Sequence, residues 1–309
     1  MKVLVTGGAG FIGSHIVDEL INADYEVVVV DDLSTGREEN LNKKAKFYKL
    51  DIQDTGLESI FNKERPDYVS HHAAQKDVRI SVSDPVYDAK INILGTVNLL
   101  QNCVKYNVKK VVFASTGGAI YGEQNLFPAP ETHPANPISP YGITKLVAEH
   151  YMYYYKTIHG MDYIALRYSN VYGPRQDPYG EAGVVSIFIQ KMLKGEIPII
   201  NGDGEQTRDF VYIGDVVKAS ILSFKSDISE NTFNIGTGVE TSINQLFRTL
   251  KEIINPSIEE NHGPHKNGEQ LRSVIDCSKA ENVLNWKPEV SLADGLKRTC
   301  EYFQNINCC

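Results

Sequence analysis

The sequence has no run approaching the roughly 18 apolar residues that a membrane span needs, so no membrane partner is expected. It opens on Met1-Lys2-Val3-Leu4-Val5-Thr6, without the apolar stretch and small-residue cleavage site of a secretory signal, and a cytoplasmic protein is expected. Cysteine is scarce. The five present (Cys103, Cys277, Cys300, Cys308 and Cys309) are odd in number and lack the paired spacing of a metal site. They read as free thiols, with Cys308 and Cys309 in an exposed tail, and no metal is expected. Positive charge is also short: 31 Lys and Arg against 39 Asp and Glu leave a net charge of −8. A broad basic face for a nucleic-acid backbone is therefore excluded, although a local pocket for one phosphorylated ligand is not. Neither an internal repeat nor a low-complexity segment occurs.

What is present is enough apolar chain for a large core: 42% of 309 residues are hydrophobic. In the first half, β-branched runs at 3–6, 26–31, 46–50, 68–71, 110–114 and 163–167 alternate with amphipathic stretches at 11–23, 56–63, 86–106 and 141–159. This alternation predicts an α/β fold with a Rossmann-type, doubly wound parallel sheet. After Asn170 the rhythm breaks into Gly- and Pro-rich stretches and a polar loop at 255–270, which predicts a smaller C-terminal α/β substrate domain. The expected division is 1–168 for the sheet domain, with 169–208 and 237–309 in the smaller one. Short strands near 209–213 and 231–235 suggest a return to the first domain around 209–236.

Gly7-Gly8-Ala9-Gly10-Phe11-Ile12-Gly13 follows the first strand and opens a helix. There a tight turn lets backbone N–H groups approach a pyrophosphate at a helix N-terminus. Asp31 ends the next strand, where a carboxylate accepts from ribose hydroxyls and repels a 2′-phosphate; this favours NAD over NADP. Asp51 and Ile52, after the third strand, are candidates for the adenine.

Tyr141-Gly142-Ile143-Thr144-Lys145 puts a phenol and an ammonium at i and i+4, on one helix face. A free tyrosine, with a pKa of about 10, is a poor base at neutral pH unless a nearby cation stabilises its phenolate. Lys145 is placed to do that. Strand 110–114 ends in Ser115-Thr116-Gly117-Gly118, and ligands sit at the carboxyl ends of such strands. Thr116 is assigned to orient a sugar hydroxyl, with Ser115 as its rival.

Taken together, Gly7 to Gly13, Asp31-Asp32-Leu33-Ser34-Thr35-Gly36, His72-Ala73-Ala74-Gln75, Tyr141 to Lys145, Arg167 to Arg175 and Gln206-Thr207-Arg208-Asp209-Phe210 resemble the NAD-dependent UDP-glucose 4-epimerases. These are extended short-chain dehydrogenases of the nucleotide-sugar epimerase/dehydratase group, and the similarity spans nearly the whole chain. The resemblance implies an isomerase that inverts C4 of a UDP-hexose through a 4-keto intermediate and transient NADH, the chemistry of galactose metabolism. It implies cofactor contacts from Gly7, Gly10, Phe11, Ile12, Gly13, Asp31, Asp32, Ser34, Thr35, Gly36, Asp51, Ile52, His72, Ala73, Ala74, Lys76, Asn92, Ser115, Tyr141, Lys145 and Tyr168. For the UDP-sugar it implies Lys76, Thr116, Tyr141, Asn170, Gly183, Val184, Val185, Ile199, Asn201, Arg208, Lys266, Glu269 and Ser273. Lys266-Asn267-Gly268-Glu269 replaces the family's usual Arg-x-Gly-Asp, and His265 or Arg272 could take part instead. A homodimer through a four-helix bundle is implied as well.

Dehydratases of this group carry an Asp-Glu pair just after the strand-end threonine, whereas Gly117-Gly118 stand here. That difference favours an epimerase. The runner-up is a UDP-glucuronate 4-epimerase or decarboxylase, with Arg175 or Arg79 as the cation near C6. A non-catalytic NAD-binding sensor would be expected to lack the tyrosine or the lysine. A serine at 273 would admit an N-acetyl group, so activity on UDP-GlcNAc and UDP-GalNAc is expected alongside UDP-Glc and UDP-Gal.

Overall fold

The computed structural model describes residues 1–179, 183–265 and 270–307. Lys266 and Glu269, expected at the nucleotide, and Cys308 and Cys309 of the tail lie outside the described residues. Cys103, Cys277 and Cys300 are free thiols. Among the described residues no helix is long and apolar enough to cross a membrane.

Consecutive apolar residues in β1 (Lys2–Thr6) and β2 (Glu26–Asp31) demand cover on both faces of the strands, as parallel sheets require. Between them lies α1 (Phe11–Asn22), and after them come β3 (Lys46–Lys49), α2 (Leu57–Glu64) and β4 (Tyr68–His71). The chain continues through α3 (Val78–Ser83), α4 (Pro85–Ala89), α5 (Thr96–Lys105), β5 (Lys110–Thr116), α6 (Gly117–Ile120), α7 (Pro140–His159) and β6 (Asp162–Tyr168). Then follow β7 (Asn170–Tyr172), α8 (Val184–Leu193), β8 (Ile199–Asn201), β9 (Thr207–Tyr212), α9 (Ile213–Lys225), β10 (Thr232–Ile235) and β11 (Glu240–Ser242). The last elements are α10 (Ile243–Ile254), β12 (Asn261–Gly263), β13 (Arg272–Ser273), α11 (Ser278–Leu284) and α12 (Leu292–Asn307).

Seven strands form one parallel sheet in the order β10-β6-β5-β4-β1-β2-β3. Val3, Val5, Val27 and Val29 face a core shared with α1 and α9, while Leu4, Val28 and Val30 face one shared with α2, α5 and α7. The strand order reverses at β1 and β4, and the crevice beyond their carboxyl ends is where such sheets bind ligands. The site is built there.

Two differences from the sequence reading matter. The long helix expected over 86–106 is α4 and α5 joined by a π-helical segment, Lys90–Gly95. Such widened turns often mark functional positions, and here Asn92 turns inward to bond the backbone of Gln75 twice, accepting from its N–H and donating to its carbonyl, both at 2.9 Å. The strand expected at 209–213 forms as β9, but it pairs with β7, β11 and β13 in a second sheet, and the chain rejoins the large sheet only at β10. That second sheet packs Phe210 against Phe188, Leu246, Phe247 and Phe303 of α8, α10 and α12. Only Ser169 separates the end of β6 in one sheet from the start of β7 in the other.

Candidate active site

A cleft of about 390 Å3 opens at the reversal of strand order. Its floor is the Gly7 to Gly13 turn. Gly7 has φ +68°, and a Cβ there would lie 2.6 Å from the backbone nitrogen of Ala73. A Cβ on Gly13 would lie 2.2 Å from the carbonyl oxygen of Gly7, so the turn closes tightly against the start of α1 only without side chains. Asp31 stands at the end of β2, nearly buried, and accepts from the backbone N–H of Ala9 at 2.9 Å and of Leu33 at 2.8 Å. Burial pushes its pKa up, and these two N–H groups oppose the shift. They fix the carboxylate while leaving it acceptor capacity for hydroxyls.

The same cleft is lined by Gly10, Phe11, Ile12, Asp32, Ser34, Thr35, Gly36, Asp51, Ile52, His72, Ala73, Ala74, Lys76, Ser115, Tyr141, Lys145 and Tyr168. Of the residues expected at the cofactor, Asn92 alone stands behind the wall, bonded to Gln75, Asp88 and Thr144. His72 bonds Ser70 Oγ through Nε2 at 2.9 Å, while its Nδ1 is buried with no partner in the protein. Burial, then the charge of Lys145, pushes its pKa down to about 3, so the ring is neutral. A glycine cradle, a carboxylate with acceptor capacity to spare and an unsatisfied ring nitrogen fit a dinucleotide.

Ser139 caps α7, accepting from Gly142 N at 3.2 Å, and Pro140 takes the first helical position. That start carries Tyr141 to the cleft and puts Lys145 one turn deeper. Lys145 is 4% exposed, donates to the carbonyl oxygen of Ala114 at 3.0 Å, and holds its Nζ 5.9 Å from the centre of the Tyr141 ring. Burial pushes its pKa down to about 8 against the pull of Asp88 and Glu149.

A second cleft, about 250 Å3, adjoins the first. Lys76, Thr116, Tyr141, Asn170, Gly183, Val184 and Val185, all expected at the sugar nucleotide, line it. Tyr141 lines both clefts. Ile199 and Asn201 of β8, Arg208 of β9 and Ser273 of β13 stand outside this lining. Arg208 and Ser273 are register partners in the second sheet, and the Arg208 guanidinium donates to the carbonyl oxygen of Thr207 at 2.8 Å. A Cβ on Gly118 would meet nothing closer than Thr116 Oγ1 at 4.0 Å, so the position leaves open space. Among the described residues no group of His, Cys, Asp and Glu is placed to hold a metal ion.

Sequence reasoning missed several residues. Asp177 lines both clefts and pairs with Arg37, Nη2 to Oδ1, at 3.2 Å. Gln176, directly after the Arg167 to Arg175 motif, and Phe210, the last residue of the Gln206 to Phe210 motif, line the second cleft without having been assigned to it. Behind the wall, Glu149 takes Arg167 bidentately, with Nε to Oε1 at 3.0 Å and Nη2 to Oε2 at 2.6 Å. The only available signal was the position of Glu149 one turn after Lys145.

Residues 3–236 match the model of the NAD dependent epimerase/dehydratase family. The chain is 53% identical to the putative UDP-glucose 4-epimerase of Methanocaldococcus jannaschii, covering 99% of each. It is also 53% identical to the UDP-glucose 4-epimerase of Thermotoga maritima, solved with UDP-glucose, over 99% of this chain and 100% of that one, with a TM-score of 0.97. A UDP-N-acetylglucosamine 4-epimerase from Methanobrevibacter ruminantium, solved with UDP-N-acetylmuramic acid, is 39% identical over 99% of this chain and 98% of that one, with a TM-score of 0.94. With NAD as its cofactor and a Rossmann-type sheet to hold it, this chain belongs to the NAD dependent epimerase/dehydratase family.

Proposed function

We propose that the protein is a UDP-hexose 4-epimerase that interconverts UDP-glucose and UDP-galactose and also accepts the N-acetylated pair. The observation that carries this reading is the place of Tyr141, in the wall common to the cofactor cleft and the second cleft. A proton acceptor there reaches a sugar held in one cleft beside a nicotinamide held in the other.

Gly7 to Gly13, Asp31 and the residues after β4 would hold NAD. When bound, it supplies an acceptor for the hydrogen on sugar C4, returned later to the opposite face. Tyr141 takes the proton of the C4 hydroxyl and gives it back. Lys145 stabilises the phenolate by its positive charge, and Thr116 orients the hydroxyl. Asn170 and Arg208 hold the diphosphate, for which a guanidinium fork is well shaped. The sugar has to turn over between the two transfers.

The uronate reading is disfavoured by charge. Arg175 pairs with Asp18 at 2.8 Å and lines only the cofactor cleft, and Arg79 on α3 is 69% exposed beside Asp77. Among the described residues that line the second cleft, Lys76 is the one cation. Retention of both Tyr141 and Lys145 speaks against a non-catalytic sensor. A homodimer is proposed from exposed apolar residues on the 85–105 helical run and α7, including Val86, Leu94, Tyr154 and Ile158. A monomer at micromolar concentration in size-exclusion chromatography would count against it.

The test is incubation with UDP-galactose, UDP-GalNAc and UDP-galacturonate, followed by separation of the C4 epimers. Turnover of the first two, lost in Tyr141→Phe, is expected. Conversion of the uronate alone, or undiminished turnover in Tyr141→Phe, would overturn the proposal.

A further inference from the structure

Lys145 is a buried ammonium whose hydrogen-bond acceptor is the neutral carbonyl of Ala114. Such a charge is poorly solvated unless an anion faces it. Two buried carboxylates, Asp88 and Glu149, act through their charge to keep its proton on. They are not equivalent. Glu149 spends its charge on the Arg167 fork and also accepts from Ser115 Oγ. Asp88 is fully buried, and among the described residues no lysine or arginine lies within ion-pairing distance of it.

Every side-chain partner of Asp88 donates to it. Gln75 Nε2 at 2.9 Å and Asn92 Nδ2 at 3.0 Å reach Oδ1, and Thr144 Oγ1 at 2.8 Å reaches Oδ2. The two amides make Oδ1 an acceptor, and Thr144 Oγ1 also reaches the Tyr141 carbonyl oxygen at 3.0 Å. Thr144 immediately precedes Lys145 on α7, and α4, which carries Asp88, packs against that helix. The remaining titratable groups around the ammonium are Tyr141 on α7 and His71 and His72 at the end of β4. His71 is buried and His72 half-buried, and burial together with the charge of Lys145 lowers the pKa of both. Asp88 lines neither cleft.

We infer that Asp88 is the buried countercharge that keeps Lys145 protonated, a positioning residue acting through Lys145 and touching neither sugar nor cofactor. Its bearing on catalysis rests on the Tyr141–Lys145 reading above.

The experiment is a pH titration of the holoenzyme carrying lysines labelled with 13C at Cε, followed by NMR, with Lys145→Met identifying the resonance. Asp88→Asn preserves all three bonds, because its amide can face Thr144 Oγ1, which accepts as readily as it donates. The Lys145 midpoint is expected to fall by about one pH unit. The alkaline limb of kcat should move down with it, at unchanged KM for the UDP-sugar. Thr144→Val, which removes a bond but no charge, should leave the midpoint in place. Asp88→Ser, a second neutral replacement, should lower the Lys145 midpoint likewise and serves if Asp88→Asn does not fold. An unmoved Lys145 midpoint in the folded neutral variant overturns the inference. A midpoint that moves while the pH–rate profile does not upholds the Asp88–Lys145 couple and overturns the role given to Tyr141 and Lys145.

Discussion

Ser115 Oγ donates to Glu149 Oε1 at 2.5 Å, which commits that hydroxyl to α7, while its neighbour Thr116 lines only the second cleft. The two adjacent hydroxyls should therefore fail differently. Thr116→Ala is expected to lower kcat by about ten- to a hundredfold, the worth of a hydrogen bond to a charged or charging group, with thermal stability kept. Ser115→Ala should cost about 1 kcal/mol in unfolding, because a buried carboxylate loses a donor, and leave turnover nearly intact. Steady-state kinetics and thermal unfolding of both variants decide it; the reverse pattern would make Ser115 the catalytic hydroxyl.

Lys145 carries a stability cost whose sign is fixed by its depressed pKa. Its value of about 8 in the folded protein lies below the ordinary 10.5, so the unfolded chain binds the proton more tightly. This cost is fully present below pH 8 and is relieved as pH rises from 8 toward 10.5, so over that window stability from this group increases with pH. Lys145→Met should abolish turnover yet stabilise the fold at pH 7 by about 1–3 kcal/mol, the unpaired Asp88 offsetting part of the gain. That gain should vanish near pH 10.5. Denaturant unfolding at the two pH values checks both signs.

The glycine turn makes a contrast within one loop. Gly13→Ala drives a methyl to 2.2 Å from the Gly7 carbonyl oxygen, whereas Gly10→Ala meets that oxygen at 3.2 Å, within reach of small adjustment. The first should yield protein without bound nucleotide and the second protein that retains it. Nucleotide released by acid from each purified variant gives the answer.

Asp177 ties the segment after β7 to the loop after β2 through Arg37, and His15 reaches the carbonyl oxygen of Pro174 at 2.9 Å from α1. Arg37 and Asp177 both line the cofactor cleft. Asp177→Ala should speed NAD loss by about fivefold, the equivalent of the roughly 1 kcal/mol that a half-exposed ion pair supplies. Exchange of bound for labelled NAD measures it, and an unchanged rate would show that the tie does not gate release.

Substrate breadth has its own test. Ser273→Tyr should abolish turnover of UDP-GalNAc and spare UDP-galactose; equal loss of both would remove position 273 as the determinant. Ser273 is buried and outside the lining of the second cleft, so the variant also reports whether its side chain bears on the sugar at all.

The large sheet was legible in the sequence because β1, β2 and β5 carry valine-rich runs between turns. Of the smaller sheets only β9 was expected: Arg272–Ser273 pairs β9 and Asn261–Gly263 pairs β8 in a separate two-stranded sheet, and these two or three polar residues become strands because those neighbours lie alongside. The first cleft was legible for a related reason: its contacts come from contiguous turns at the ends of consecutive strands. Asp88 and Glu149 were missed because their meaning lies in partners far along the chain, such as Thr144 and Arg167, which no spacing rule connects. Ile199, Asn201, Arg208 and Ser273 entered by resemblance alone, and these four stand outside the second cleft's lining.

The passage from β6 to β7 through Ser169 has a mechanical result. Ser169 N still donates to the Ile235 carbonyl at 2.9 Å, so the backbone ladder of the large sheet continues into the very residue where the chain crosses to the other. Tyr168 and Asn170, proposed at the cofactor and at the diphosphate, thus sit two positions apart on one length of polypeptide, and covalent geometry rather than a joint between layers sets the spacing between them.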